Sequence, residues 1–191
     1  SLGALTLLLV LACSRKLILP PRGDWPVVFS VGLLQMLSFM VLVNLGLLSV
    51  EAGRSAVLAY TTPLWVAPAA VLFVKERLTP LKLGGLLCGL AGIGLLFNPL
   101  TFDWNQRETV IGNGLLMLAA FCWAGAILHI RSHRWQATPL QLTPWQMLVA
   151  LPGVVVLALL FEDAGEISFE PELWLVLAYN GPIATAFCFW A

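Results

Sequence analysis

Six apolar runs without a charged residue divide this sequence, and short polar segments separate them. About 20 apolar residues in a helix cross the roughly 30 Å hydrocarbon core of a bilayer. The runs have 18 to 25 residues each, and they cover 26–50, 55–74, 83–100, 110–130, 142–161 and 173–191. The pattern therefore predicts an all-α membrane protein, a polytopic helical bundle.

Composition supports a membrane protein and argues against soluble classes. Hydrophobic residues make up 60% of the chain and charged residues 10%, which is too little polarity to cover a soluble domain. The four cysteines lie inside apolar runs, where we expect small hydrophobic side chains with free thiols rather than a disulfide framework or a metal cluster.

The charges are sorted by sign into alternating loops. Eight of the ten Lys and Arg residues lie in every second loop, and basic loops face the cytoplasm. We therefore predict that the loops around residues 15–22, 75–82 and 131–134 are cytoplasmic and that the protein is a multi-pass protein of the inner, cytoplasmic membrane.

Both ends of the chain are expected to be cut helices. Residues 1–12 are apolar but too short to span, and the run 173–191 ends without a polar residue. A helix that stops in lipid would leave its last carbonyl groups without partners.

An internal match suggests two repeats of opposite orientation. Trp25 aligns with Trp174 and Gly32 with Gly181 at one offset, and the loop before Trp25 is basic while the loop before Trp174 is acidic. The two copies would enter the membrane from opposite sides, as in secondary transporters that bind solute between inverted repeats.

The stretch 51–97 carries a family resemblance. It contains Ala-Gly-x-Ser-Ala at 52–56, Tyr-Thr-Thr-Pro-Leu at 60–64, Glu-Arg-Leu-Thr at 76–79 and a glycine-rich helix at 84–94. Together these motifs resemble the EamA-type family of the drug/metabolite transporter superfamily. The resemblance implies two inverted five-helix repeats, truncated here at both ends. Residues 1–100 would be the end of the first repeat, from a truncated second helix to the fifth, and residues 110–191 the start of the second, from the sixth helix into the eighth.

A proline break in the run 55–74 is the main candidate for chemistry. Pro63 removes the amide that would bond the carbonyl of Ala59, and such a carbonyl in a membrane needs protein, water or ligand. The polar and aromatic side chains around the break are Tyr60, Thr61, Thr62 and Trp65. Two interpretations are open: a substrate cavity, or a packing kink whose hydroxyls bond their own backbone.

Other polar residues inside the runs are weaker candidates for a substrate cavity. If the helix is regular, Gln35 and Ser38 share a face, which Asn44 does not; each could instead be an interhelical hydrogen bond. On helices that the resemblance makes cavity-lining, the candidates are Asn113, Trp123, Tyr179 and Asn180. Gly85, Gly89 and Gly92 share a face and predict close approach of another backbone. His129 and His133 lie four residues apart without a third metal ligand nearby, which favours an interfacial pair.

The function favoured is a secondary-type transporter that exports a small organic metabolite or drug-like solute by alternating access. The alternatives are a membrane-embedded enzyme, for which no catalytic set appears in the spans, and a membrane scaffold or sensor, for which no sizeable extramembrane domain appears. We expect no enzyme activity, no cofactor and no metal. The partners expected are the solute and the lipid bilayer, without nucleic acid, and a homodimer is left open.

Overall fold

The structure, a computed structural model, describes residues 2–59, 61–75, 79–97, 106–161, 171–181 and 184, without the side chains of residues 54, 96, 97, 171 and 172. Regular secondary structure in these ranges is helical throughout. The helices are α1 (Leu2–Cys13), α2 (Trp25–Leu47), α3 (Ala52–Ala59), α4 (Thr62–Phe73), α5 (Pro80–Phe97), α6 (Arg107–Ser132), α7 (Pro139–Phe161) and α8 (Pro171–Ala178).

The helices confirm a polytopic helical membrane protein. Among the described residues, four helical segments are long and apolar enough to cross a membrane: Trp25–Leu47, Ser55–Phe73, Arg107–Ser132 and Pro139–Phe161. They correspond to four of the six predicted runs. The shorter apolar helices are Leu2–Cys13 and Pro80–Leu95. Prolines begin α5, α7 and α8, a position where the missing amide costs no helical hydrogen bond.

One feature of α2 departs from the regular helix expected for its run. Between the α-helical segments Trp25–Ser30 and Met40–Leu47, residues Val31–Phe39 form a π-helix. The i→i+5 bonding of a π-helix widens each turn, and π-helical segments are frequent at functional sites. The run contains no proline after Pro26 and therefore gave no local signal for this change.

The chain divides into two compact units. The first consists of Ser1–Leu37 and Arg134–Ala191. Within it, α1 and the first part of α2 pack against α7, and the fully buried side chains include Leu7, Val28 and Leu142. A Cβ at Gly32 would lie 2.7 Å from the carbonyl oxygen of Gln146, so α2 and α7 cross with their backbones close together.

The second unit, Ser38–His133, is built around α6. The last part of α2, together with α3 and α4, packs against this helix. The buried face of α6 is made of small residues and one leucine: Gly112, Leu116, Ala119, Ala120, Ala124 and Ala126. Small side chains let helices approach closely where dispersion, rather than the hydrophobic effect, drives packing in lipid.

The close backbone approach predicted for the glycine stripe of α5 is absent from the described part of the chain. A Cβ at Gly85 or Gly92 would meet no described atom within 4 Å, and one at Gly89 would meet only Leu64 Cδ2, at 3.3 Å. The glycines that carry close crossings lie elsewhere. A Cβ at Gly46 would be 3.2 Å from the carbonyl oxygen of Gly112, on the contact between α2 and α6. Spacing alone identifies a face for small residues but not the helix that occupies it.

Candidate functional site

The predicted proline break is a real interruption, and its own side chains bond the freed backbone. Helix α3 ends at Ala59 and α4 begins at Thr62. The Thr62 hydroxyl donates to the carbonyl oxygen of Ala59 at 2.8 Å, and the Thr61 hydroxyl donates to that of Leu58 at 2.6 Å. The carbonyl that Pro63 was expected to leave without a partner therefore has one. This is the local bonding that the packing interpretation proposed.

Both threonines at the break are buried while Pro63 itself is exposed. Thr61 is 3% exposed and Thr62 1%. Two short backbone hydrogen bonds tighten the turn, from the Thr61 amide to Leu58 at 3.0 Å and from the Leu64 amide to Thr61 at 2.8 Å. These i→i+3 bonds keep the chain tightly wound where the α-helix stops. Tyr60, another predicted site residue, lies outside the described residues.

Trp65 connects the break to an aromatic surface. Its indole Nε1 donates to the Thr61 hydroxyl at 3.1 Å, so that hydroxyl both donates and accepts. The indole ring is half-buried and tilted against Phe121 of α6, with ring centroids 4.5 Å apart. Such tilted aromatic pairs contribute about 0.5–1.5 kcal/mol beyond the area they bury. These two contacts hold Trp65 in place, and part of its side chain stays exposed.

A second aromatic pair ties α6 to the last residue of the π-helical segment. The ring of Trp123 is tilted by 54° against that of Phe39, with ring centroids 4.8 Å apart. Phe121 and Trp123 are two residues apart and point to different sides of α6, because each residue turns the helix by about 100°. Sequence reasoning missed Phe39 and Phe121, since a phenylalanine in an apolar run carries no polar or periodic signal.

The asparagines predicted as cavity candidates bond to their own helices. Each donates its Nδ2 to the carbonyl four residues earlier: Asn44 to Met40 at 2.7 Å, Asn113 to Thr109 at 2.6 Å, and Asn180 to Val176 at 3.0 Å. The Oδ1 atom of Asn113 is buried and has no hydrogen-bond partner among the described residues. Asn113 therefore keeps a free acceptor inside the second unit.

Gln35 and Ser38 do not share a face as closely as an α-helix would place them. Both are half-buried and lie in the π-helical segment. In its wider turn each residue advances by less than the roughly 100° of an α-helix, so residues three apart are farther from each other around the axis. Gln35 belongs to the first unit and Ser38 to the second.

The structure thus gathers part of the predicted set in the second unit. Thr61, Thr62, Pro63 and Trp65 surround one turn, and α6, which carries Asn113 and Trp123, packs against α4. Tyr179 is 60% exposed and Asn180 follows it just after α8; with Gln35, these two residues belong to the first unit.

The described titratable side chains do not form a metal-ligand cluster. No three His, Cys, Asp or Glu side chains converge on a common point within the described ranges. The rings of His129 and His133 meet edge to face with centroids 5.9 Å apart, at the end of α6. The break offers the faces of Trp65 and Phe121 beside the hydroxyls of Thr61 and Thr62, and these groups suit an organic solute.

Comparison with known proteins finds one matching family and several similar proteins. The EamA-like transporter family matches residues 1–98. An "Uncharacterized transporter YoaV" of Bacillus subtilis (strain 168) is 24% identical over 98% of this chain and 64% of its own length. An "Uncharacterized transporter in sor 3'region" of Acidianus ambivalens is 35% identical over 47% of this chain and 34% of its own length. The "WAT1-related protein At3g02690, chloroplastic" of Arabidopsis thaliana is 30% identical over 60% of this chain and 27% of its own length.

These alignments cover 47% to 98% of the chain but a smaller share of each relative, at most 64% of the length of the three proteins named. No solved structure gives a significant match. The family match spans α1 to α5, including the break at Thr61 and Thr62. The chain therefore belongs to the EamA-like transporter family.

Proposed function

We propose that this chain is part of a secondary transporter that moves a small organic solute out of a bacterial cell by alternating access. The observation that carries the proposal is the interrupted helix at Ala59–Thr62, which lies beside the pair of Trp65 and Phe121. Interrupted helices in a membrane occur where protein or a water-filled cavity replaces lipid, and transporters place their solute sites at such interruptions.

The chemistry around the interruption suits an uncharged or aromatic part of a solute. The apolar runs contain no Asp, Glu, Lys or Arg, so a salt bridge from within the spans is not available to the solute. Trp65 and Trp123 offer ring faces, which stack on planar or apolar groups. The buried Oδ1 of Asn113, on α6 of the same unit, has no hydrogen-bond partner among the described residues, and so is available to an N–H or O–H of the solute.

Membrane and direction are part of the same proposal. We expect the basic loops to face the cytoplasm. The membrane proposed is the inner membrane of a bacterium. Export is the direction that the family resemblance implies. The relatives' names support a transporter rather than an enzyme.

Transport by the whole protein in sealed vesicles tests the proposal. The assay follows entry and exit of a panel of labelled metabolites and aromatic dyes, against vesicles without the protein. For a solute that is carried, Trp65→Ala should lower kcat/KM about tenfold, because removal of one desolvated aromatic contact costs about 1.4 kcal/mol. Phe73→Ala is the matched control, since Phe73 lies on the same helix and is 79% exposed.

Equal transport by Trp65→Ala and Phe73→Ala would move the solute site away from the interruption. No saturable flux for any member of the panel would argue against a transporter. Membrane levels of both variants are measured by quantitative blotting, so that loss of protein is not read as loss of transport.

A further inference from the structure

A buried carboxylate joins two loops that are far apart in the sequence. Asp24, just before α2, accepts a hydrogen bond from the backbone amide of Gln136 at 3.2 Å and from that of Ala137 at 2.8 Å. Asp24 is 0% exposed. Each oxygen of the side chain thus has a backbone partner before α7, so Asp24 holds the segment before α7 against the loop before α2.

Two side chains of α7 extend the same connection. The Nε2 atom of Gln141 donates to the carbonyl oxygen of Lys16 at 3.0 Å, and the indole Nε1 of Trp145 donates to that of Ile18 at 3.0 Å. Together with Asp24, these bonds fix the loop between α1 and α2 along the start of α7. We refer to residues 14–24 and 134–145, joined in this way, as the strap.

All four basic residues of the first unit lie on the strap and are exposed: they are Arg15, Lys16, Arg22 and Arg134. Arg22 comes two residues before Asp24, and Arg134 two residues before Gln136, so the hydrogen bond between Asp24 and Gln136 brings their backbones close together. We call these four residues the basic patch.

The acid on the strap is buried, whereas the basic patch is exposed. Asp24 is the only acidic residue of the first unit whose side chain the structure describes, and its oxygens are bonded to backbone amides inside the strap. The positive charge of the patch therefore has no carboxylate at the surface among the described side chains of this unit. Basic loops that serve only to orient the helices in the membrane would need neither hydrogen bonds from one loop to the other nor a buried acid.

Apolar residues interrupt the basic patch. Between Lys16 and Arg22, the side chains of Leu17, Ile18 and Leu19 are 39%, 36% and 73% exposed. Trp135, next to Arg134, is 36% exposed. Tryptophan and basic residues next to exposed aliphatic side chains are typical of the membrane–water interface, where rings and aliphatic groups meet the acyl boundary and cations meet the headgroups.

We propose that the basic patch and the exposed Leu17–Leu19 segment bind an anionic phospholipid, with its phosphate against the cations and its acyl chains against the aliphatic side chains. The negative surface potential of the cytoplasmic leaflet attracts such patches, by about 1 kcal/mol per Lys or Arg near the surface. The patch lies on loops that are predicted to be cytoplasmic. This inference does not depend on which solute is transported.

Binding of phosphatidylglycerol and phosphatidylcholine to the whole purified protein, measured by native mass spectrometry, tests the proposal. Phosphatidylglycerol should bind more tightly than phosphatidylcholine. In Arg22→Gln/Arg134→Gln its affinity should fall about 30-fold, which corresponds to two cations. Arg22→Lys/Arg134→Lys should keep most of the affinity, because the charge remains. Arg107→Gln, an exposed cation of the second unit, is the matched control and should bind as the wild type does.

Equal affinity for the two lipids, or unchanged phosphatidylglycerol binding in Arg22→Gln/Arg134→Gln, would overturn the proposal. Displacement by inorganic phosphate at the concentration of the lipid would also overturn it, because it would show a site for a free anion. Size-exclusion chromatography checks that each variant stays folded. The substituted side chains are all exposed, so we expect the variants to fold. If the double glutamine variant aggregates, Arg15→Gln/Lys16→Gln makes the same test at the other end of the patch, and unchanged affinity there would contradict the proposal equally.

Discussion

Polar side chains in these helices are mostly bonded to the backbone of their own helix. Three asparagines and several hydroxyls follow this rule, among them Thr6, which donates to the carbonyl of Leu2 at 2.9 Å. The sequence predicted which residues are polar and near the proline, but it could not predict where their hydrogens point, since that depends on the local turn. Phe39 and Phe121 were beyond prediction for another reason: contacts between distant aromatic residues come from tertiary packing.

At the residue scale, Thr62 should matter for stability through its hydroxyl. Thr62→Val removes the partner of the Ala59 carbonyl, which Pro63 leaves without an amide, and should destabilise the protein by about 1–3 kcal/mol. Thr62→Ser keeps the hydroxyl and should cost less. Thr6→Val is the control, because in an α-helix the Leu2 carbonyl also bonds the Thr6 amide. Thermal unfolding in detergent measures all three, and equal midpoints for Thr62→Val and Thr6→Val would contradict the role given to this hydroxyl.

At the element scale, apolar runs predicted the positions of the helices well, because burial in lipid requires their length and composition. The run 26–50 corresponds to Trp25–Leu47 and the run 142–161 to Pro139–Phe161. Departures from a regular helix were predicted only where the sequence contains a proline. The π-helical segment Val31–Phe39 has no such marker, and the crossings at Gly46 and Gly112 required knowledge of which helices are neighbours.

The close contacts of Gly112, on α6, predict that alanine has different effects there and at Gly114. A Cβ at Gly112 would lie 2.8 Å from Val50 Cγ2 and 3.0 Å from Ser49 Cβ, whereas one at Gly114 would meet no described atom within 4 Å. Gly112→Ala should therefore destabilise the protein by about 1–3 kcal/mol through overpacking. Gly114→Ala should stay within about 1 kcal/mol of the wild type, since alanine favours the helix. Unfolding midpoints in detergent compare the two, and a Gly112→Ala protein as stable as Gly114→Ala would show that Ser49 and Val50 do not lie so close to α6.

At the scale of the whole molecule, the sequence predicted a polytopic helical protein and its family, and both are confirmed. Composition and family motifs suffice for this, because both are properties of long stretches rather than of single contacts. The inverted repeats and the boundary between residues 100 and 110 remain predictions. The candidate site was predicted in part: Thr61, Thr62 and Trp65 do lie together with α6, while Gln35, Tyr179 and Asn180 belong to the other compact unit.

Counterflow through the whole protein in proteoliposomes tests transport by alternating access most directly. A carrier that exposes one site to each side in turn should retain incoming label when unlabelled solute is present inside, because the unlabelled solute competes for the site that would carry the label out again. We predict a transient accumulation of label above its equilibrium level, reduced in Trp65→Ala and kept in Phe73→Ala. Flux that does not saturate and is unaffected by internal solute would contradict the account, since an open pore behaves in that way.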